Sequence, residues 1–350
     1  AWLVEEHSIP FVALELRFQG GTSLDPQGKE GVTNLMVGLL EEGAGDMDAR
    51  AFARETEALA ASFRYNASDD TVGISARFLT ENRDQAVALL RESLVNPSFD
   101  QSAIDRVRAQ VSSIIRSNQK DPRDIAGDAF AKLVYGDHPY GRPEYGTPDS
   151  VADLTRDDIV TAHRAALTRD RLYVSAVGDI TEDELANLLD GLLLDLPETG
   201  PALPGSADIY LPGGVQIVEF DTPQSVVFFG QPGIDRDDPD FFAAYILNHI
   251  LGGGSFESRL MQEVREKRGL TYGVYSYLAN KDNADLWLGS VSTANGRVAE
   301  SIDVIRAEWN RLRTEGVTQA ELDDAKTYLT GAYPLRFDGN APIANIAVSM

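Results

Sequence analysis

The residues of this chain that could do chemistry are few and widely spaced. A catalytic zinc site commonly uses two histidines at an i, i+4 spacing on one helix face, together with a carboxylate. The four histidines, His7, His138, His163 and His249, are far apart in the sequence, and the chain has no cysteine. These counts exclude disulfides, thiolate metal sites and a cysteine nucleophile, and they predict no metal bound by this chain.

A serine nucleophile is also not expected. The chain has no G-x-S-x-G turn, and Ser255, which follows Gly252, Gly253 and Gly254, is the nearest candidate. A glycine-rich stretch before a helix more often supplies backbone freedom or N–H groups that bind anions. We therefore do not assign Ser255 as a nucleophile.

The densest polar stretch, residues 257–272, allows two interpretations. Helical spacing places Leu260 and Val264 on an apolar face, which predicts a solvated amphipathic helix with i, i+4 ion pairs such as Glu263 with Lys267. The alternative interpretation is functional, because Arg265 and Tyr272 flank a glycine turn between a helix and a strand, where loops tend to carry function. On the amphipathic interpretation four charged side chains face the solvent: Arg259, Glu263, Glu266 and Lys267.

Composition limits the classes of partner. The chain has 350 residues and a net charge of −24, from 31 basic and 55 acidic side chains. Such a charge repels nucleic acid and allows a basic peptide as partner, although acidity also serves solubility. The apolar run at residues 241–251 is too short to span a membrane. We expect no nucleic acid and no membrane span, and a basic peptide is the class of ligand that the charge allows.

The same order of elements can be read twice, which predicts a duplicated fold. A β-rich segment at residues 10–18 precedes an apolar helix at 31–40, and a second at 225–230 precedes a helix at 241–251. Strands followed by paired helices predict an α+β class with two homologous domains, each a mostly antiparallel or mixed sheet covered by helices on one face. A parallel nucleotide-binding sheet is the rival, but no glycine-rich nucleotide loop follows a strand.

Proline and glycine crowd residues 197–213, which predicts a linker between domains at 1–196 and 214–350. The chain opens directly on a strand-like segment and stops in an apolar stretch. We therefore expect that the native start has been removed and that the C-terminal domain is truncated.

Residues 258–272 closely resemble the second-domain signature of the pitrilysin-like zinc peptidases, the family that includes mitochondrial processing peptidase, and the resemblance covers essentially the whole chain. It implies that Arg265 and Tyr272 contact the substrate backbone and assist catalysis. A guanidinium and a phenol can stabilise the oxyanion of a peptide carbonyl. The stretch Gly252, Gly253 and Gly254 is similar to a substrate-handling loop of the processing peptidase's non-metal subunit.

Active members of that family carry H-x-x-E-H on a first-domain helix, in which both histidines bind zinc and the glutamate is the general base. The resemblance places Asn34 and Gly38 at the histidines, Val37 at the base and Ile114 at a further glutamate ligand. Every metal-site position is therefore degenerate.

The resemblance implies a zinc-less subunit similar to those of bacterial heterodimeric homologues. Its partner would be a homologous subunit with H-x-x-E-H, which holds the zinc, while this chain binds no cofactor and is inactive alone. The alternatives are a structural subunit of a larger complex and a stand-alone peptide-binding clamp. A bacterial periplasmic location is expected, with the cytoplasm as the alternative.

Overall fold

The computed structural model describes residues 1–254 and 256–350, which contain both strands and helices. The strands are β1 (Trp2–Glu5), β2 (Phe11–Gln19), β3 (Gly43–Ala44), β4 (Met47–Asp48), β5 (Ser62–Ala67), β6 (Thr71–Leu79), β7 (Leu172–Gly178), β8 (Gln224–Pro232), β9 (Thr271–Lys281) and β10 (Ala284–Ala294). The helices are α1 (Val32–Val37), α2 (Ala49–Ala58), α3 (Arg83–Val95), α4 (Gln101–Asn118), α5 (Pro122–Tyr135), α6 (Pro148–Ala152), α7 (Arg156–Ala166), α8 (Glu182–Leu193), α9 (Phe241–Leu251), α10 (Val298–Glu315), α11 (Gln319–Ala332) and α12 (Asn340–Val348).

The chain divides into two compact units that do not follow chain order. Unit 1 contains Ala1–Arg116, Arg142–Pro204 and Leu335–Met350, and unit 2 contains Ser117–Gly141 and Gly205–Pro334. Helix α5 of the first half therefore belongs to unit 2, and helix α12 of the second half belongs to unit 1. The linker predicted at residues 197–213 has no helix or strand, and its role as the domain boundary stays a prediction.

Unit 1 is built on a five-stranded sheet with the order β1-β7-β2-β6-β5. Only β1 and β7 pair in parallel, so the sheet is mixed. The period-two pattern of β2 buries Leu14 and Leu16 on one face, against the core formed with helices α1, α3, α4, α7 and α8. Helix α12 packs on the other face, where Ala344 contacts Ala13 of β2 and Val177 of β7.

Unit 2 is built on a three-stranded antiparallel sheet with the order β8-β10-β9. One face buries Val274 and Val291 in a core with Leu251 of α9 and Ile305 of α10. The other face receives α5, whose residues join a second apolar cluster with β10. Both units confirm the predicted α+β class of mixed or antiparallel sheets with helices, and in each unit one further helix covers part of the second sheet face.

Helix α1 is shorter than the helix predicted at residues 31–40. It ends at Val37, after which Leu39 and Leu40 donate their N–H groups to carbonyls three residues back. The start is fixed by Asp25, whose carboxylate accepts the backbone N–H groups of Gly31 and Thr33 at 2.8 and 3.2 Å. A carboxylate at a helix N-terminus satisfies donors that have no partner within the helix.

Among the described residues, no helix has both the length and the apolar character required to cross a bilayer.

Candidate functional site

The positions aligned with the zinc motif lie on α1, directly after α1 and on α4 of unit 1, and none of them carries the residue that the motif requires. Val37 is 4% exposed and belongs to the apolar core. Gly38 faces α4 so closely that a Cβ atom there would lie 3.0 Å from Val107 Cγ1. Asn34 donates its side-chain amide to the Glu144 carbonyl at 2.7 Å, and Ile114 is 40% exposed. A valine, a glycine and an isoleucine offer no metal ligand.

The rest of the described chain does not supply another set of zinc ligands. Within residues 1–254 and 256–350, no group of three His, Cys, Asp or Glu side chains is placed to hold a metal ion. Buried His163 lies 2.8 Å from the Leu94 carbonyl oxygen, and burial lowers the pKa of its imidazole. His249 stacks on Tyr328 with the ring centroids 5.1 Å apart. The residues present therefore do not fit the zinc that active relatives require.

Arg265 and Tyr272 lie in unit 2 on either side of an unusual helix end. Residues Met261–Glu266 form a π-helix, and the Lys267 N–H bonds to the carbonyl of Gln262, five residues back, at 3.0 Å. Gly269 then turns the chain in the left-handed region, at φ 59°. Short π-helical segments are rare and occur often at functional sites. The sequence pattern predicts a helix here but not its wider winding.

Backbone hydrogen bonds close the turn between Arg265 and Tyr272. The Leu270 N–H bonds to the Val264 carbonyl at 2.9 Å, and the Gly269 N–H bonds to the Arg265 carbonyl at 2.7 Å. Thr271 Oγ1 donates to the Ser292 carbonyl at 2.6 Å and so fixes the start of β9 on β10. The junction is therefore a hydrogen-bonded structure rather than a loose loop.

The two side chains are presented differently. The guanidinium of Arg265 lies 4.5 Å from the ring centroid of Phe256, a cation–π contact, and its Nε lies 3.6 Å from a Glu266 carboxylate oxygen. Tyr272 is 90% exposed. A large side chain exposed to this degree on a strand gains little from packing, so its chemistry, a phenol that donates a hydrogen bond, is available to a ligand.

The expectation that Arg259 and Glu263 face the solvent is wrong, because both are 8% exposed. Arg259 forms a two-point ion pair with Glu321 of α11, with N···O distances of 2.6 and 2.8 Å. The arginine and the capping hydrogen bonds of Thr318 lower the pKa of Glu321 to about 2. Charged side chains can be buried when such partners replace water. This pair fixes α11 to the start of the π-helix.

Glu263 accepts from two basic residues. Lys267 Nζ lies 2.5 Å from one carboxylate oxygen and Arg268 Nη1 lies 2.6 Å from the other. These hydrogen bonds lower the pKa of the Glu263 carboxyl group. The predicted Glu263–Lys267 pair is thus present, whereas the guanidinium of Arg265 has, among the described residues, only the cation–π contact with Phe256 and the 3.6 Å contact with Glu266.

The glycine stretch has three different surroundings. A Cβ atom on Gly252 would lie 2.6 Å from Ser276 Oγ, and one on Gly253 would lie 2.7 Å from Asn248 Nδ2. Gly254 is in open space at φ 141°. Gly252 is thus required by close packing of the α9 end on β9, and Gly253 by the close approach of the chain to the last turn of α9. Ser255 lies outside the described residues, and the substrate-binding role of the three glycines stays a prediction.

The fold and the degenerate motif define a two-domain protein of the pitrilysin-like class in which the motif positions hold neither the histidines nor the glutamates of the zinc site. The model of the insulinase family, peptidase family M16, matches residues 2–148, and that of the peptidase M16 inactive domain matches residues 153–329. This chain belongs to peptidase family M16.

Similar proteins include both named non-peptidases and named proteases. The chain is 28% identical over 333 residues to the non-peptidase homolog YmxG of Helicobacter pylori, covering 95% of this chain and 77% of that protein. It is 28% identical over 323 residues to an uncharacterized zinc protease of Streptomyces coelicolor, covering 90% and 70%. A crystal structure described as the peptidase M16 inactive domain from Pseudomonas fluorescens superposes with a TM-score of 0.90 at 32% identity, covering 99% and 84%.

Proposed function

We propose that this chain is the zinc-less subunit of a heterodimeric zinc endopeptidase and that it donates Arg265 and Tyr272 to the active site of its partner. The partner would be a homologous M16 subunit that carries H-x-x-E-H and holds the zinc. This chain would help to enclose the peptide substrate but would cleave nothing by itself.

The observation that carries the proposal is the contrast between the two halves of the expected site. In unit 1, two positions of the zinc motif are packing positions, with Val37 in the core and Gly38 against Val107. In unit 2, the Arg265 and Tyr272 side chains remain at a rigid, hydrogen-bonded junction, and Tyr272 is 90% exposed. A protein that only filled space would not need an exposed phenol at this position.

The side chains of Arg265 and Tyr272 are suited to stabilising charge that develops during peptide hydrolysis, not to starting the reaction. During peptide hydrolysis, negative charge develops on the carbonyl oxygen, and fixed donors aimed at that atom lower the barrier. A guanidinium is always charged and offers several N–H donors, and a phenol adds one O–H donor. Neither group activates water at neutral pH, so the metal chemistry would come from the partner.

Reconstitution tests this proposal. The purified chain should contain no stoichiometric zinc and should not cleave a peptide library, whereas its mixture with the H-x-x-E-H subunit should contain one zinc per pair and cleave. Tyr272→Phe should lower turnover of the pair by about 10²–10³, the loss typical of one missing oxyanion donor. The matched control is Tyr210→Phe, since Tyr210 is an exposed tyrosine elsewhere in unit 2. Metal-dependent cleavage by the isolated chain contradicts the proposal.

A structural subunit is the second candidate. It is favoured by the Helicobacter pylori relative, which is named a non-peptidase homolog. On this alternative the mixture forms a stable complex, but Tyr272→Phe leaves every rate unchanged. The same experiment therefore separates the two functions.

A further inference from the structure

An open cavity lined mainly by charged and polar residues lies on the second face of the unit 1 sheet, beside α12 and away from the zinc-motif positions. Its volume is about 420 Å³. This volume is within the range of roughly 300–1,000 Å³ common for ligand sites and is larger than one small ion requires. The lining residues come from strands β2, β5 and β6 and from α12: Glu15, Arg17, Ser62, Arg64, Ser75, Arg77, Ala341, Pro342 and Asn345.

Strand register gathers the three arginines on this face. Arg64 of β5 lies opposite Ser75 of β6, and Arg77 of β6 lies opposite Ser62 of β5. Directly opposite residues share one face of a sheet, and Arg64 and Arg77 are therefore diagonal neighbours, with Cβ atoms about 7 Å apart. Arg17 of β2 is on the same face because Glu15, two residues earlier, lies opposite Ser75.

The arginines differ in how their charge is satisfied. Arg17 lies 2.8 Å from Glu15 and donates to the Asn345 side-chain oxygen at 2.8 Å, so α12 and β2 hold it in place. Glu15 is 5% exposed and also accepts from Ser75 Oγ at 2.8 Å. Arg64 and Arg77 are exposed, and neither guanidinium group forms a hydrogen bond or ion pair with another residue of the described chain.

This arrangement is unusual for a chain of net charge −24. Three positive charges line the cavity against the single carboxylate of Glu15, which Arg17 and Ser75 already occupy. Two guanidinium groups left without acceptors on neighbouring strands repel each other, and an added carboxylate would relieve that repulsion. The local charge is opposite in sign to the charge of the whole chain.

We propose that this cavity binds carboxylate groups of an acidic peptide segment. Arg64 and Arg77 would each offer a planar fork of N–H donors that matches a carboxylate at two points. Ser62 would add a hydroxyl donor. Arg17 acts as a positioning residue that keeps Glu15 neutralised. The site does not depend on the proposed catalytic role, since it lies within unit 1 and can be tested on the chain alone.

Fluorescence anisotropy with labelled peptides tests this site. The probes are an octapeptide rich in Glu and Asp, its Gln and Asn counterpart, and a Lys-rich counterpart, all at about 0.15 M salt. At that ionic strength the screening length is about 8 Å, so distant acidic side chains contribute little while the cavity charges still act. The acidic probe should bind with the highest affinity of the three.

The double variant Arg64→Gln and Arg77→Gln should weaken binding of the acidic probe at least about tenfold, because each lost charge-assisted contact is strong. The matched control is Arg50→Gln with Arg54→Gln, a pair of exposed arginines on α2 of the same unit. It should change the dissociation constant less than about twofold, since it leaves the local charge of the cavity intact. Circular dichroism establishes that both double variants remain folded.

Three results would overturn the site: no binding of the acidic probe up to millimolar concentration, equal binding of the neutral probe, or equal weakening by the two double variants. Inorganic phosphate serves as a competitor that separates the two sources of negative charge. If phosphate displaces the peptide at lower concentration than the free acidic peptide does, the cavity is a phosphate site and the peptide assignment fails. A third variant, Arg64→Lys with Arg77→Lys, keeps the charge but loses the fork, and it should bind with intermediate affinity.

Discussion

Replacing Val37 by glutamate tests whether the first-helix position of the catalytic base has become part of the core. Val37 is 4% exposed and packs in the apolar cluster of unit 1. Loss of the buried valine removes about 1.5 kcal/mol of favourable transfer free energy. Burial would raise the pKa of the new carboxyl group, and each tenfold decrease in its acid dissociation constant costs about 1.36 kcal/mol at a pH where the group is ionised in the unfolded state. With a hundredfold decrease, Val37→Glu lowers the free energy of unfolding by about 4 kcal/mol at pH 7.

Ile114→Glu is the matched control, because it introduces the same side chain at the position aligned with the further glutamate ligand. Ile114 is 40% exposed, so the new carboxylate keeps most of its water. We expect a change within about 1 kcal/mol of zero. Urea unfolding followed by circular dichroism measures both variants.

The pH dependence gives a second readout for Val37→Glu. The carboxyl pKa is higher in the folded state than in the unfolded state, so the destabilisation is small where both states are protonated and grows as pH rises above about 4.3. We expect it to fall to about 2 kcal/mol near pH 4. If Val37→Glu costs no more than Ile114→Glu at pH 7, position 37 faces solvent as a catalytic base would, and the inference that packing has replaced the metal site is refuted.

Three further predictions concern stability. Burial raises the pKa of Asp25 from 3.8 to about 6, so the folded state binds the proton more tightly and the free energy of unfolding falls by about 3 kcal/mol as pH rises through that interval. Asp25→Asn should flatten this pH dependence of the free energy of unfolding, as measured by urea titrations. An unchanged pH dependence would show that other groups cause it. Glu321→Ala leaves buried Arg259 without its carboxylate partner and should lower the free energy of unfolding by about 3 kcal/mol at pH 7. In the wild type, the stabilisation by Glu321 is lost as pH falls from 4.5 towards 2. A thermal midpoint unaffected by the substitution would contradict the role of the pair. Gly253→Ala should lower the free energy of unfolding by about 1–3 kcal/mol, because the new Cβ would lie 2.7 Å from the His249 Cα. Gly296→Ala is the control and should be tolerated, because no atom lies within 4 Å of its new Cβ. Equal unfolding midpoints of the two variants would show that the backbone shifts at Gly253 without a cost.

The duplicated order of elements could be predicted because local signals mark it. Gly316 ends α10 at φ 73°, and Thr318 with Glu321 forms the predicted capping box of α11. Such signals depend on a few neighbouring residues, so a single sequence contains them. The exchange of α5 and α12 between the units depends on packing between distant segments, and no local pattern predicts it.

The burial of the Arg259 side chain could not be predicted from the sequence. Helical periodicity places Arg259 among polar neighbours and predicts exposure, but the partner that allows its burial, Glu321, is 62 residues away. The sequence alone does not predict the cluster of cavity arginines for a related reason. Their signal is the period-two spacing of Glu15 with Arg17 and of Ser75 with Arg77, which also describes an ordinary solvent face until the strand register brings these residues beside Arg64.

The most direct test of the central claim is steady-state kinetics of the reconstituted pair carrying Arg265→Ala in this chain. Arg306→Ala is the control, since Arg306 is an exposed arginine on α10 of the same unit. We predict that Arg265→Ala lowers kcat by about 10²–10³, with little change in KM and one zinc still bound per pair, because the lost donor acts mainly on the transition state. A kcat equal to that of the Arg306→Ala pair would contradict the claim that this subunit contributes to catalysis.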